Sequence, residues 1–306
     1  MGNDYLMVTD LGTDGLAEVL RLAADAKTNP SRYAGRLAGG KVGLFFEKPS
    51  TRTRVSCEVA TVDLGAHPVV LKQDEVGLGK REAVEDVGRV LDRYLDVLAF
   101  RVFDHANLVG VADSSQAPVI NLLSDLSHPC QALADLQTVA EHRALPGTVL
   151  TYVGDGNNVC HSLMLGGAMS GMHIRVAAPA GYEPLEIITA EATEIAAVHG
   201  GSITVTNDPV AGVAGADVVY TDVWTSMGLE SEAAARLALF QPFQVNEALF
   251  GEAAADAIFL HCLPAHRDEE LTHEVIEHER SFVFDQAENR MHAFKALLLY
   301  LTGTGD

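Results

Sequence analysis

Residues 41–54 run Lys41-Val42-Gly43-Leu44-Phe45-Phe46-Glu47-Lys48-Pro49-Ser50-Thr51-Arg52-Thr53-Arg54, and two patterns meet inside them. Val42 to Phe46 is a short apolar run that reads as a strand. Pro49 and Ser50 end it, and Ser50 suits the cap of a helix beginning at Thr51. Strand and helix patterns then alternate along the whole chain. Strand candidates lie at 42–46, 67–71, 96–101, 118–121, 148–153, 173–177, 202–206, 217–221, 257–260 and 282–284. Helical patterns lie at 14–27, 51–64, 81–94, 105–115, 130–142, 158–170, 185–199, 268–279 and 287–301. This alternation predicts an α/β fold with mostly parallel sheets.

The 306 residues suffice for roughly two domains. A helix ends, and Pro and Gly interrupt the chain, between His142 and Gly147, which marks a boundary. The expected architecture is two α/β domains, each with a central parallel β-sheet flanked by helices, linked by the helix near 130–142.

With 21 Lys and Arg against 42 Asp and Glu, the net charge is −21. A sequence-independent nucleic-acid binder needs a basic surface, and so does a protein that docks on anionic lipid; neither fits. Hydrophobic content of 48% with 21% charged residues excludes a disordered chain. No segment reaches the ~18 uninterrupted apolar residues of a membrane span. The first residues lack the basic and apolar regions of a secretory signal. Cys57, Cys130, Cys160 and Cys262 are far apart, so a disulfide scaffold or zinc ribbon is not expected, and a reducing cytoplasm is.

Two familiar motifs fail on inspection. Gly154-Asp155-Gly156 follows a strand candidate, but Val159 stands where a dinucleotide fingerprint needs its third glycine. His273 and His278 flank Glu274 and Glu277, yet the second zinc ligand would have to stand at position 277. The 50–54 turn is different. A helix starting there aims free N–H groups outward, and three hydroxyls and two guanidiniums on one turn make a site for a tetrahedral dianion. Residues 41–54 hold Lys41, Lys48, Arg52 and Arg54 against Glu47, a local +3 within an acidic chain.

Ser50-Thr51-Arg52-Thr53-Arg54 resembles the phosphate loop of the aspartate/ornithine carbamoyltransferase family. Three further matches follow in the family's order. They are Phe100-Arg101, the run His128-Pro129-Cys130-Gln131-Ala132-Leu133-Ala134-Asp135, and His261-Cys262-Leu263-Pro264. Gly154-Asp155-Gly156-Asn157-Asn158 and Asp222-Val223-Trp224-Thr225-Ser226-Met227-Gly228 resemble the amino-acid-binding loops of the family's ornithine-using members. Aspartate-using members differ at the Ser226-Met227-Gly228 triplet and at Cys262.

The resemblance implies transfer of a carbamoyl group from carbamoyl phosphate to the δ-amine of L-ornithine, giving citrulline and phosphate. It assigns Ser50, Thr51, Arg52 and Thr53 to the phosphate, and Thr53, Arg101 and His128 to the carbonyl oxygen, where negative charge develops. Gln131 and the backbone at Cys262-Leu263 would hold the carbamoyl NH₂, and Arg290 makes a further contact with the donor. Arg101, His128 and Cys262 are the catalytic candidates, Cys262 as a binding group rather than a nucleophile. Asn158, Asp222, Ser226 and Met227 would hold ornithine; a carboxylate suits its ammonium and amide donors its carboxylate. No cofactor and no metal is implied. In this family the C-terminal helix returns to the first domain. The expected domains are therefore 1–142 with 286–306 for carbamoyl phosphate and 143–285 for ornithine, with the active site between them at a subunit boundary of at least a homotrimer.

One departure stands out. The family's loop after the second strand usually carries a polar residue, commonly Gln, before a Leu-Gly pair; it reaches the phosphate of the adjoining subunit. Here Gly77 precedes Leu78-Gly79, and Lys80 is the nearest substitute. Two rival readings are a carbamoyltransferase for another amine, such as putrescine, N-acetylornithine or lysine, and a non-catalytic phosphate-binding protein. Asp222 and the Ser226 triplet favour ornithine, because a diamine has no α-carboxylate. The set Arg101, His128, Gln131 and Cys262 disfavours mere anion binding, which needs no carbonyl polariser.

Overall fold

The computed structural model describes residues 4–225 and 232–305. The chain divides into two units, Met1–Gln137 with Glu288–Asp306, and Thr138–Ala287.

In the first unit, β1 (Lys41–Phe46), β2 (His67–Lys72), β3 (Val97–Arg101) and β4 (Val119–Leu123) form a parallel sheet in the order β2-β1-β3-β4. Its longer helices are α1 (Gly12–Thr28), α2 (Thr51–Asp63), α3 (Val84–Leu91) and α4 (His105–Ser114). Every residue of β1 from Val42 to Phe46 is buried, as a central strand covered on both faces requires. The Phe45 ring lies 4.9 Å from that of Phe100 on β3, and Leu98, Leu108 and Val111 complete this core.

The second unit holds β5 (Val149–Val153), β6 (His173–Ala177), β7 (Ser202–Thr206), β8 (Val218–Thr221) and β9 (Ile258–His261), parallel in the order β7-β6-β5-β8-β9. The helix α5 (Pro129–His142) precedes β5. It is followed by α6 (Asn158–Met169), α7 (Glu186–His199), α8 (Ala233–Phe240) and α9 (Val283–Leu301). Phe243, Phe250, Phe259, Val275 and Val283 pack into one core on this sheet.

Each strand order contains one reversal. In the first sheet the chain builds outward from β1 to β2, then crosses to β3 on the other side. In the second it builds from β5 to β6 and β7, then crosses to β8. Loops leaving the two central strands at such a point diverge, and the crevice between them is where open α/β sheets bind ligands. Register puts Phe46 beside Arg101 at the first reversal and Val153 beside Thr221 at the second.

Three sequence expectations change. No strand forms at 282–284, because α9 starts at Val283; Phe282 makes one amide bond to the Phe259 carbonyl before the helix takes over. A Phe-Val-Phe run is too short for periodicity to separate strand from helix. The helix expected at 268–279 shrinks to one turn, His273–Ile276. Conversely, α8 was not foreseen, since Ala-Ala-Ala-Arg-Leu-Ala-Leu-Phe shows no apolar stripe; its inward residues are Arg236 and Phe240.

Truncating Phe45 removes a fully buried ring from the centre of the first sheet. Phe45→Ala should destabilise the first unit by about 3–5 kcal/mol. Urea unfolding should show a lower midpoint at unchanged slope.

Candidate active site

At the first reversal, Ser50 caps α2: its hydroxyl accepts from the Thr53 amide at 3.4 Å and donates to Thr53 Oγ1 at 3.1 Å. Capping turns Thr53 inward, where it is 1% exposed. Arg290 Nη2 donates to Thr53 Oγ1 at 2.9 Å, and Arg101 Nη1 reaches the same oxygen at 3.5 Å. Arg290 Nη1 donates to Gln131 Oε1 at 2.6 Å, and Gln131 in turn donates to Asp135 at 2.7 Å. Arg101, His128, Gln131 and Arg290 are all buried.

The electrostatics of this cluster are unusual. Arg290 hydrogen-bonds only neutral groups among the described residues, the Thr53 hydroxyl and the Gln131 amide oxygen. A buried guanidinium normally sits against a carboxylate, since an unpaired buried charge costs several kcal/mol. Burial, together with the Arg290 and Arg101 cations, holds the His128 pKa well below its ordinary 6.5, so the imidazole stays neutral. Burial also pushes the Cys57 thiol up to about 12, which leaves it inert. The cluster thus offers positive charge, a neutral imidazole, a hydroxyl and an amide to whatever enters, without a reactive thiolate.

The structure gathers Ser50, Thr53, Arg101, Gln131 and Arg290 by direct contact, with His128 within their field. Thr51 is exposed and Arg52 half-buried on the first turn of α2. Ser50 and Thr51 also border an open groove of about 550 Å³ between the ends of β1 and β2. The local +3 charge is only partly available. Arg54 points outward to Glu58 at 2.5 Å, and the Lys48 ammonium lies 4.0 Å from the centre of the Phe103 ring.

At the second reversal, in the other unit, Asp222 follows β8 and accepts three hydrogen bonds. Cys262 Sγ donates to Oδ1 at 2.8 Å, Val223 N donates to Oδ1 at 2.8 Å, and Asn157 Nδ2 donates to Oδ2 at 2.8 Å. Asn157 caps α6, accepting from the amides of Val159 and Cys160 and from the Tyr152 hydroxyl. Asn158 begins α6, half-buried beside it. Ser226 and Met227 lie outside the described residues.

Leu263, after Cys262, has a positive φ of 56°, and its amide donates to His261 Nδ1 at 2.8 Å. The other ring nitrogen of His261 pairs with the fully buried Glu270 at 3.0 Å, so the proton resides on Nε2. Asp222, His261 and Cys262 bring possible metal ligands within 4.8 Å of one another, but hydrogen bonds already occupy all of them.

Several residues here escaped the sequence reading. Asn157 was quoted but passed over for Asn158, although Asn157 bonds Asp222; the N-cap position before α6 was the available signal. Asp155, Arg236 and Glu270 were not singled out, since the pairing of Asp155 with Arg236 spans 81 residues and that of Glu270 with His261 spans 9.

Residues 3–141 match the family described as "Aspartate/ornithine carbamoyltransferase, carbamoyl-P binding domain", and residues 146–301 match its "Asp/Orn binding domain". The chain belongs to the aspartate/ornithine carbamoyltransferase family. It is 50% identical over 301 residues to an ornithine carbamoyltransferase of Parafrankia sp. (strain EAN1pec), covering 97% of this chain and 95% of the relative. Among solved structures it resembles ornithine carbamoyltransferase from Pyrococcus furiosus, with TM-score 0.96, 46% identity, and coverage of 99% and 97%. It also resembles an anabolic ornithine carbamoyltransferase from Campylobacter jejuni, with TM-score 0.94, 34% identity and 99% coverage of both chains. Ser50 and Arg101 follow the strands at the first reversal and Asn157 and Asp222 those at the second, whereas His128 and Cys262 follow the edge strands β4 and β9.

The neutral state of His128 has a measurable consequence. An unfolded chain protonates this histidine below about 6.5 while the folded protein does not, so stability falls as pH drops from 7 towards 5. One such group contributes at most about 1.4 kcal/mol per pH unit. Urea unfolding at pH 7, 6 and 5 should show the stability advantage of the wild type over His128→Gln shrinking with pH. Parallel curves would contradict a neutral buried imidazole.

Proposed function

We propose that this chain transfers the carbamoyl group of carbamoyl phosphate to the δ-amine of L-ornithine, releasing citrulline and phosphate. The observation that carries this reading is the buried Arg290, which with Arg101 reaches the Thr53 hydroxyl and, among the described residues, hydrogen-bonds only neutral groups. Such a cluster is suited to a ligand that is anionic on arrival and gains charge on a carbonyl oxygen during reaction.

In this reading the N-terminus of α2, with Ser50, Thr51, Arg52 and Thr53, holds the phosphate, and Arg290 reinforces it. Arg101, His128 and Thr53 face the carbonyl oxygen. The neutral imidazole donates a hydrogen bond there, and the two guanidiniums stabilise the charge as the tetrahedral intermediate forms. Gln131 accepts from the carbamoyl NH₂, as does the backbone at Cys262-Leu263. Ornithine's ammonium pairs with Asp222 and its carboxylate with Asn158, while Ser226 and Met227 complete the amino-acid side. The δ-amine resembles a lysine in water, with pKa near 10, and attacks only after losing a proton; the departing phosphate accepts the later proton. The hydrogen bond between Cys262 and Asp222 supports a binding role for the thiol.

We assign the domain limits as 1–142 with 286–306 for carbamoyl phosphate and 143–285 for ornithine. The working assembly is a homotrimer or a multiple of trimers in the cytoplasm, and the role is arginine biosynthesis, in line with the similar anabolic enzyme. Among the described residues, no helix is long and apolar enough to cross a membrane.

The altered loop after β2 is consistent with a local change of partner. Gly77 has φ 72°, and a Cβ there would sit 2.6 Å from the Arg81 Cβ, so the polar residue usual in this family does not fit. Lys80, exposed three residues on, takes over the intersubunit phosphate contact.

The deciding assay incubates the protein with carbamoyl phosphate and ornithine, putrescine, N-acetylornithine or lysine, then measures ureido product and phosphate. Citrulline should form with ornithine alone; its absence would overturn the proposal. Arg101→Gln should lower kcat about 10²–10³-fold, the usual cost of one preorganised donor to a developing oxyanion. Lys80→Ala should raise KM for carbamoyl phosphate at nearly unchanged kcat, and unaltered saturation kinetics would refute the intersubunit role.

A further inference from the structure

Helix α8 has an inverted pattern. Ala233, Ala234, Leu237 and Leu239 are exposed, whereas its arginine is buried, with Arg236 only 7% accessible. An inward guanidinium on a surface helix loses hydration worth several kcal/mol, so specific partners must hold it there. Arg236 Nη1 donates to Asp155 Oδ2 at 2.9 Å and to the Trp224 carbonyl at 3.0 Å. Arg236 Nε donates to Glu232 at 3.0 Å, and the guanidinium lies over the Tyr182 ring, 4.8 Å from its centre.

The two Nη1 partners come from different loops. Asp155 belongs to the loop from β5 to Asn158, and Trp224 to the loop from β8 through Asp222. The first loop is itself tightly seated: a Cβ on Gly156 would fall 2.2 Å from the Pro184 nitrogen. Asn157 already ties these loops at one point through its bond to Asp222. Arg236 supplies a second tie, on the other side of Asp222 in sequence, and two ties prevent the loops from pivoting about one.

We infer that Arg236 and Asp155 are positioning residues for the amino-acid substrate. They touch no reacting atom; they set the spacing between Asn158 and Asp222, the groups that grip opposite ends of ornithine. This inference rests on the functional reading above. Burial pushes the Asp155 carboxyl up to about 6, and the charge and hydrogen bond of Arg236 oppose that rise.

The test separates positioning from simple structural support. Arg236→Gln leaves the buried Asp155 carboxyl without its cation, Asp155→Asn leaves the buried Arg236 only its half-exposed Glu232 partner, and both variants should lower the melting temperature. The double variant leaves neither charge, so much of that stability should return. Its KM for ornithine should nevertheless stay at least tenfold above wild type, with KM for carbamoyl phosphate within twofold. Arg236→Lys should restore KM for ornithine only in part, because an ammonium cannot reproduce the planar fork that serves three acceptors. A double variant with wild-type KM for ornithine would overturn the inference, as would a parallel rise in both KM values. Wild-type citrulline synthesis is measured alongside: its failure would count against the functional reading, whereas the inference fails alone if the wild type works and the double variant matches it.

Discussion

A buried guanidinium whose hydrogen bonds, among the described residues, all go to neutral groups is the constraint on which the first unit is built. Arg290 lies on α9, 237 residues from the Thr53 hydroxyl it bonds and 159 from the Gln131 amide. Keeping such a charge out of water without a carboxylate costs free energy, and the surrounding structure has to bear it. Strand β1, buried from Val42 to Phe46, and the buried strand β3 do so, presenting the turn at Ser50 and the end of β3 side by side. Burial first, and then the Arg290 and Arg101 cations, hold His128 neutral beside that charge.

The second unit solves a different problem. Its key charge, Asp222, is already satisfied by Cys262, Val223 and Asn157, and its neighbour Asp155 by Arg236. Saturated bonding suits a place where geometry matters more than raw attraction. An amino acid carries opposite charges at fixed separation, and recognising it requires two groups held at a set distance. The first unit's cluster concentrates positive charge around Thr53, whereas the second unit's loops distribute matched charge between Asp155, Arg236 and Asp222.

Much of this was legible in the chain. The run from Val42 to Phe46 and the stop at Pro49-Ser50 predict β1 and α2 within a residue, because apolar runs and caps are local signals. The same local logic failed where local patterns were silent. Helix α8 lacks an apolar stripe because its inward face is an arginine and a phenylalanine. Residues 282–284 are apolar enough for a strand, yet they open a helix after a single bridge-like contact to β9. The dense basic turn read at 50–54 also proved selective: Thr53 faces inward, while Arg54 turns away to Glu58. Helical periodicity decides that, since 53 and 54 stand about 100° apart on the helix.

The sequence by itself determined the α/β alternation and the family, because these depend on runs, caps and motifs only a few residues long. It could not determine which strands stand together. The orders β2-β1-β3-β4 and β7-β6-β5-β8-β9 arise from long-range pairing, and they place one reversal beside Ser50 and Arg101 and the other beside Asn157 and Asp222. Nor could it reveal that Arg290 bonds Thr53 and Gln131, with no carboxylate partner among the described residues, or that Arg236 joins two loops. Those are properties of distance and burial, and they come into being only when residues separated by tens or hundreds of positions are packed out of water.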